Sequence, residues 1–94
     1  MNEKFIEKKL VKTVKCMGGM ALKFVSPGCA GVPDRLVLMP GGKAAFVEVK
    51  APGRKPRPLQ IRRISQLRRL GFQVYVVDGT EQIEEVLQKI GGDA

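Results

Sequence analysis

A chain of 94 residues, 44% of them apolar, has room for one small domain with a thin core, so self-association is expected. It contains no His, and Cys16 and Cys29 lack CxxC spacing; this argues against zinc, removes every His-based triad or nuclease mechanism, and suits a reduced, cytoplasmic protein. The 17 Lys and Arg outweigh 9 Asp and Glu for a net charge of +8, which points to a polyanion partner. No apolar run approaches membrane-spanning length, and the first residues lack a signal peptide's apolar region.

Residues 2–17 read as an amphipathic helix capped by Asn2, with Ile6, Leu10, Val14 and Met17 facing the core. Glu7 falls at the edge of that apolar stripe, where a carboxylate either pairs with a basic group or helps ligate a cation. Gly18-Gly19 ends the helix, Met20–Val25 reads as a strand, and Ser26–Gly31 is a loop of small residues that permits close approach to its backbone.

Val32–Lys50 reads as a β-hairpin, because Pro40-Gly41-Gly42 separates two apolar runs of strand length. Alternation puts Asp34, Leu36 and Leu38 on one side of the first arm, and Ala44, Phe46, Glu48 and Lys50 on one side of the second. A three-residue loop pairs Met39 with Lys43 and so sets Asp34 opposite Glu48, with Cβ atoms about 4.5–5.5 Å apart. A two- or four-residue loop would put them on opposite faces. Two carboxylates so close on a half-buried sheet need a proton, a basic neighbour or a metal ion. Lys50 supplies one positive charge, and hard oxygen ligands suit Mg²⁺ or Mn²⁺ for the rest.

Ala51–Arg57 is a basic, Pro/Gly-rich connection, and a second helix runs from Pro58 to Gly71 with Ile64 and Leu67 inward. Gln60 lies on that inward stripe and needs a partner: a metal-bound water, a substrate phosphate or a loop carbonyl. Phe72–Val77 has the continuous apolar character of a strand covered on both faces. After Asp78-Gly79, Thr80 is placed to cap a last helix that packs through Ile83, Val86, Leu87 and Ile90 and stops at Gly91-Gly92. Tyr75 reads as core, and the phenylalanines fall mostly at core spacing. The order α-β-β-β-α-β-α implies one α/β domain over residues 1–94, a small mixed sheet flanked by helices.

The charge is concentrated. Lys50, Arg54, Lys55, Arg57, Arg62, Arg63, Arg68 and Arg69 include no acid among them and account for the whole excess; the remainder balances at nine cations against nine acids. A basic segment of this kind is the footprint of nucleic-acid phosphates, although Arg-rich helices are also found simply solvated.

Pro33-Asp34 followed, after a hairpin, by Glu48-Val49-Lys50 resembles the PD-(D/E)XK nuclease core. The fuller pattern resembles the VRR-NUC family within it: Glu7 on the first helix, Gly31-Val32-Pro33-Asp34, Val47-Glu48-Val49-Lys50 with Ala51-Pro52, and Gln60 opening the next helix. The similarity takes in essentially the whole chain, whose size resembles stand-alone phage and prophage members. It implies a restriction-endonuclease-like core and a DNA endonuclease dependent on Mg²⁺ or Mn²⁺, with no small-molecule cofactor. It implies Glu7, Asp34, Glu48 and the Val49 carbonyl as metal ligands, and Asp34, Glu48, Lys50 and Gln60 as the catalytic set. Arg54, Lys55, Arg57, Arg62, Arg63 and Arg69 would hold DNA phosphates without reading bases. Stand-alone relatives act as homodimers on branched DNA such as four-way (Holliday) junctions, which is the expectation here, in the cytoplasm of a bacterial host. The competing readings are a non-catalytic DNA-binding accessory module, with Asp34, Glu48 and Lys50 as a structural salt-bridge cluster, and a sequence-specific endonuclease on the same fold.

Overall fold

Asn2 opens the first helix by accepting the Phe5 backbone N–H on its side-chain oxygen at 2.9 Å. The computed structural model describes residues 1–91. Helix α1 spans Glu3–Cys16, strand β1 Met20–Lys23, β2 Arg35–Met39, β3 Lys43–Val49, helix α2 Pro58–Arg69, β4 Val74–Val77, and α3 Ile83–Gly91 after a short 3₁₀ turn at Thr80–Gln82. The expected element order holds. The α3 terminus falls at Gly91; Gly92, expected to help stop that helix, lies outside the described residues.

The four strands lie in the order β1-β2-β3-β4. The first three form an antiparallel meander, and β4 returns parallel to β3 after the α2 crossover. Met39 pairs with Lys43, so Pro40-Gly41-Gly42 is the three-residue loop the hairpin requires, with Gly41 and Gly42 at φ 87° and 77°.

Alternation along these strands divides the molecule. Val37, Met39, Ala45, Val47, Val49 and Val77 point to one face and form the main core with Ile6, Leu10 and Val14 of α1 and Ile83, Val86, Leu87 and Ile90 of α3. Burying each of the Val, Leu, Ile and Met side chains contributes about 1.5–3 kcal/mol relative to leaving it in water. The other face carries Leu36, Phe46, Glu48, Val74 and Val76 by the same registers. Its ring contacts run from Phe24 to Phe46 to Phe72, at 5.4 and 6.1 Å between centroids.

Three expectations fail. Met17 is exposed, because α1 ends at Cys16 and the chain turns through Gly18, whose φ is 87°. Phe5 and Phe72 are 54% and 55% exposed: Phe5 lies off the buried stripe of Ile6, Leu10 and Val14, and Phe72 precedes β4. Nor does Thr80 cap α3 directly. Asp78 and Gln82 close the turn reciprocally, with the Asp78 N–H donating to Gln82 Oε1 at 2.8 Å and Gln82 Nε2 donating to Asp78 Oδ1 at 2.7 Å. Tyr75 packs against the core, as expected, and its hydroxyl donates to Gln73 Oε1.

Candidate active site

The site begins where β2 does not. The hairpin reading starts that arm at Val32, but the strand begins only at Arg35. Pro33, buried just before it, has no N–H to give the ladder. Asp34 therefore stands at the end of the sheet, with its backbone carbonyl accepting the Phe24 N–H at 2.9 Å. Its carboxylate completes the β2–β3 ladder from the side: Oδ2 accepts the Val49 N–H at 3.0 Å. The register steps from Arg35↔Val47 to place Asp34 against Glu48. Since N–H and C=O of one strand residue point to the same neighbouring strand, the Val49 carbonyl is directed toward the Asp34 side as well.

Glu48 is 1% exposed. One of its oxygens is crowded: Oε2 accepts from Gln60 Nε2 at 2.7 Å and lies 3.1 Å from Lys50 Nζ. The other oxygen, Oε1, is buried with no hydrogen-bond partner among the described residues. Burial, and then the charge of Asp34, push the Glu48 carboxyl above the usual carboxylate range, while Lys50 and, more weakly, the Asp34 backbone pull it back. Gln60 uses both ends of its amide, since its Oε1 also accepts the Arg57 N–H at 2.8 Å. The expected partner of Gln60 was a water, a phosphate or a loop carbonyl; instead it locks the first turn of α2 to the Glu48 carboxylate.

These donors fit a hard divalent cation. A buried carboxylate with one unpartnered oxygen, already raised by the charge of Asp34, is costly unless positive charge is brought to it, and the Lys50 ammonium lies 3.1 Å from the other oxygen. Asp34, Glu48 and Lys50 thus come together as the spacing anticipates, and Gln60 joins them as the family resemblance implies. Glu7 does not join them: its Oε2 accepts from Arg35 Nε at 2.9 Å, and Arg35 also donates to the Ala21 carbonyl. Arg35 follows Asp34 and so projects to the α1 side of the sheet, opposite to Glu48. Among the described residues no three acidic, Cys or His side chains gather closely enough to hold a metal together. Arg35 was missed in the sequence, though a cation beside Asp34 on the α1-facing side was a signal for the partner of Glu7.

Comparison with known proteins now decides the family. A family model described as the VRR-NUC domain matches residues 1–81. The chain belongs to the VRR-NUC family. It is 56% identical over 81 residues to a protein named "Putative nuclease p44" from Acyrthosiphon pisum secondary endosymbiont phage 1, covering 86% of this chain and 87% of that one. A solved structure described as a VRR_NUC domain superposes with a TM-score of 0.85 at 32% identity, over 92% of this chain and 94% of the other. The mixed α/β fold is that of the VRR-NUC family, and the chain is a nuclease-family protein similar to a phage protein. Helix α3 lies beyond the matched residues 1–81, yet its Ile83, Leu87 and Ile90 complete the core beneath the sheet.

Around this VRR-NUC site the basic residues divide by role. Lys50, Arg54, Lys55 and Arg57 line a 470 Å³ cleft with Asn2 and Glu3 of α1. Arg62 and Arg69 are exposed on α2. Arg63 is partly committed to structure: its Nε donates to the Ala30 carbonyl at 2.8 Å and its Nη1 to Gln66 at 3.0 Å. Arg68 donates to the Val74 carbonyl. The loop of small residues reaches α2, where a Cβ on Gly31 would stand 2.8 Å from Leu59 Cγ. Gly31, at φ 85°, serves that contact, whereas a Cβ on Gly28 would meet nothing within 4 Å. No helix among the described residues is long and apolar enough to cross a membrane.

Proposed function

We propose that this chain is a Mg²⁺- or Mn²⁺-dependent endodeoxyribonuclease that acts as a homodimer on branched DNA such as four-way junctions, in the cytoplasm of a bacterial host. The single observation that carries the metal-dependent reading is the buried oxygen with no partner on Glu48, a carboxyl that feels the charge of Asp34 and pairs with Lys50 through its other oxygen. Asp34, Glu48 and the Val49 carbonyl would hold the cation, and Glu7 would join them by leaving Arg35. A bound cation supplies a more acidic water and draws charge from the phosphate.

The chain's own residues do the rest. Gln60 holds Glu48 in place, and Lys50 orients the attacking water and offsets charge on the phosphate. Hydrolysis forms a bond from the water oxygen to phosphorus and breaks the bond to the 3′-oxygen, leaving a 5′-phosphate and a 3′-hydroxyl. Arg54, Lys55, Arg57, Arg62, Arg63 and Arg69 grip phosphates on either side. Arg63 does so with the donors that Ala30 and Gln66 leave over. Dimerisation draws support from the sheet face away from α1, where Met20, Leu22 and Phe72 are 57%, 40% and 55% exposed. A two-fold pair would present two sites to two strands.

Incubating purified protein with linear duplex, single-stranded and four-way-junction DNA, under Mg²⁺, Mn²⁺ or EDTA, tests this. Metal-dependent cleavage of the junction, lost in Asp34→Asn and Lys50→Ala, is the expected result. Binding without cleavage under every metal would make the chain an accessory module. Discrete cuts on linear duplex would make it a sequence-specific enzyme.

A further inference from the structure

The even balance of charge outside residues 50–69 holds along the chain but not in space. Of the nine acids, Asp78, Glu81, Glu84 and Glu85 lie on α3 or the turn before it, Asp34 and Glu48 belong to the site, and Asp93 lies outside the described residues. On the opposite face of the sheet from Glu48, Lys4, Lys8, Lys12 and Lys15 of α1 line a groove of about 490 Å³ with Lys23 of β1 and Arg35 of β2. The one carboxylate in that lining, Glu7, is neutralised by Arg35. Six cations therefore face one paired acid.

The groove has a direction. Lys23 pairs with Arg35 at the end of the sheet where Asp34 stands, and the C-terminus of α1 lies by the hairpin tip, with Gly18 beside Pro40. The N-terminus of α1 flanks Lys50, Arg54 and Arg57 in the neighbouring cleft, so the two basic surfaces meet there. From Lys4 to Lys15 the helix rises about 16 Å, which at about 3.4 Å per nucleotide matches roughly five phosphates of one strand.

We propose that α1, with Lys23 and Arg35, forms a second phosphate-binding track for nucleic acid leaving the Asp34 end of the sheet, distinct from the arginines of α2. The identity of the polyanion rests on the nuclease reading; the track itself rests on the groove. Lysines that meet phosphates as point charges give salt-dependent grip without base readout. An acidic protein face is the weaker fit, because among the described residues the acidic end of a second copy would offer Asp78, already bonded to Gln82, with Glu81, Glu84 and Glu85, and Glu85 is already 3.7 Å from Lys89.

The test is binding in EDTA, where cleavage does not intervene, of a duplex and of a four-way junction by wild type and by the triple variant Lys8→Ala, Lys12→Ala, Lys15→Ala. The slope of log Kobs against log salt should become shallower by about 0.9 for each phosphate that is no longer neutralised, up to about 2.7. An unchanged slope overturns the track. Acetylation footprinting of wild type gives a second reading that does not depend on the variant folding: bound DNA should protect Lys8, Lys12 and Lys15 but not Lys89, and equal reactivity of all four overturns the proposal. A triple variant that turns from dimer to monomer with its slope intact would assign the groove to a second copy instead. Cleavage by wild type under Mg²⁺ is scored separately, so an absent activity with an altered slope sinks the enzyme and leaves the track standing.

Discussion

Asp34 does two separable things, and a pair of substitutions tells them apart. Its Oδ2 accepts the Val49 N–H at 3.0 Å, and its charge opposes Glu48. Asp34→Asn removes the charge and keeps an acceptor of the same reach. Asp34→Ala removes both, leaving the N–H of fully buried Val49 without its partner. An unsatisfied buried donor costs about 1–3 kcal/mol, and because half-buried Asp34 leaves a space water can partly enter, the low end applies, about 1 kcal/mol. In a domain of this size that lowers Tm by about 4–8 °C. In EDTA, Asp34→Asn should therefore melt above wild type, since Glu48 no longer faces a like charge, and Asp34→Ala about 4–8 °C below Asp34→Asn. Thermal unfolding followed by circular dichroism reads all three. Equal melting of the Ala and Asn variants would refute the structural role of the carboxylate, and wild type melting above Asn would refute the repulsion.

Other consequences follow from the same site. The Glu48 carboxyl is raised on folding, so its contribution to stability is greatest below its unfolded pKa and is lost as pH rises through the folded value; in EDTA the stability of Glu48→Gln relative to wild type should grow from acid to neutral pH, measured by urea unfolding, and a constant gap would contradict the burial cost. Wild type should gain about 2.7 kcal/mol from Mn²⁺ at 100 times its dissociation constant, and Glu48→Gln should gain none, by thermal shift. Gln60→Leu breaks the bonds to both Glu48 and the Arg57 N–H and should cost about 1–3 kcal/mol in urea unfolding. Glu7→Gln should weaken Mn²⁺ binding by calorimetry, whereas unchanged affinity leaves Glu7 as the partner of Arg35 alone. Arg62→Ala should make the salt slope of DNA binding shallower by about 0.9, and an unaltered slope removes Arg62 from the interface.

Much of the site is legible without coordinates because its logic is local. The Pro40-Gly41-Gly42 turn sets the hairpin register, and strand alternation then carries Asp34 opposite Glu48 and aligns Lys50 beside it. The stripes Ile6-Leu10-Val14 and Ile83-Val86-Leu87-Ile90 are buried as their spacing foretells, since helical period depends on near neighbours alone. Asn2 caps its helix for the same reason.

What tertiary structure alone decided is which surface meets which. Glu7 finds Arg35, 28 residues away, because α1 lies on the face to which Arg35 points. Gln60 finds Glu48 because the α2 crossover returns over the opposite face. The lysines of α1 are matched by acids along the chain, yet the one acid in the groove they line, Glu7, is paired with Arg35, so a track emerges that no count of charges reveals. Patterns of period two and about 3.6 select a side for each residue; the partner on that side is chosen by packing between elements far apart in sequence.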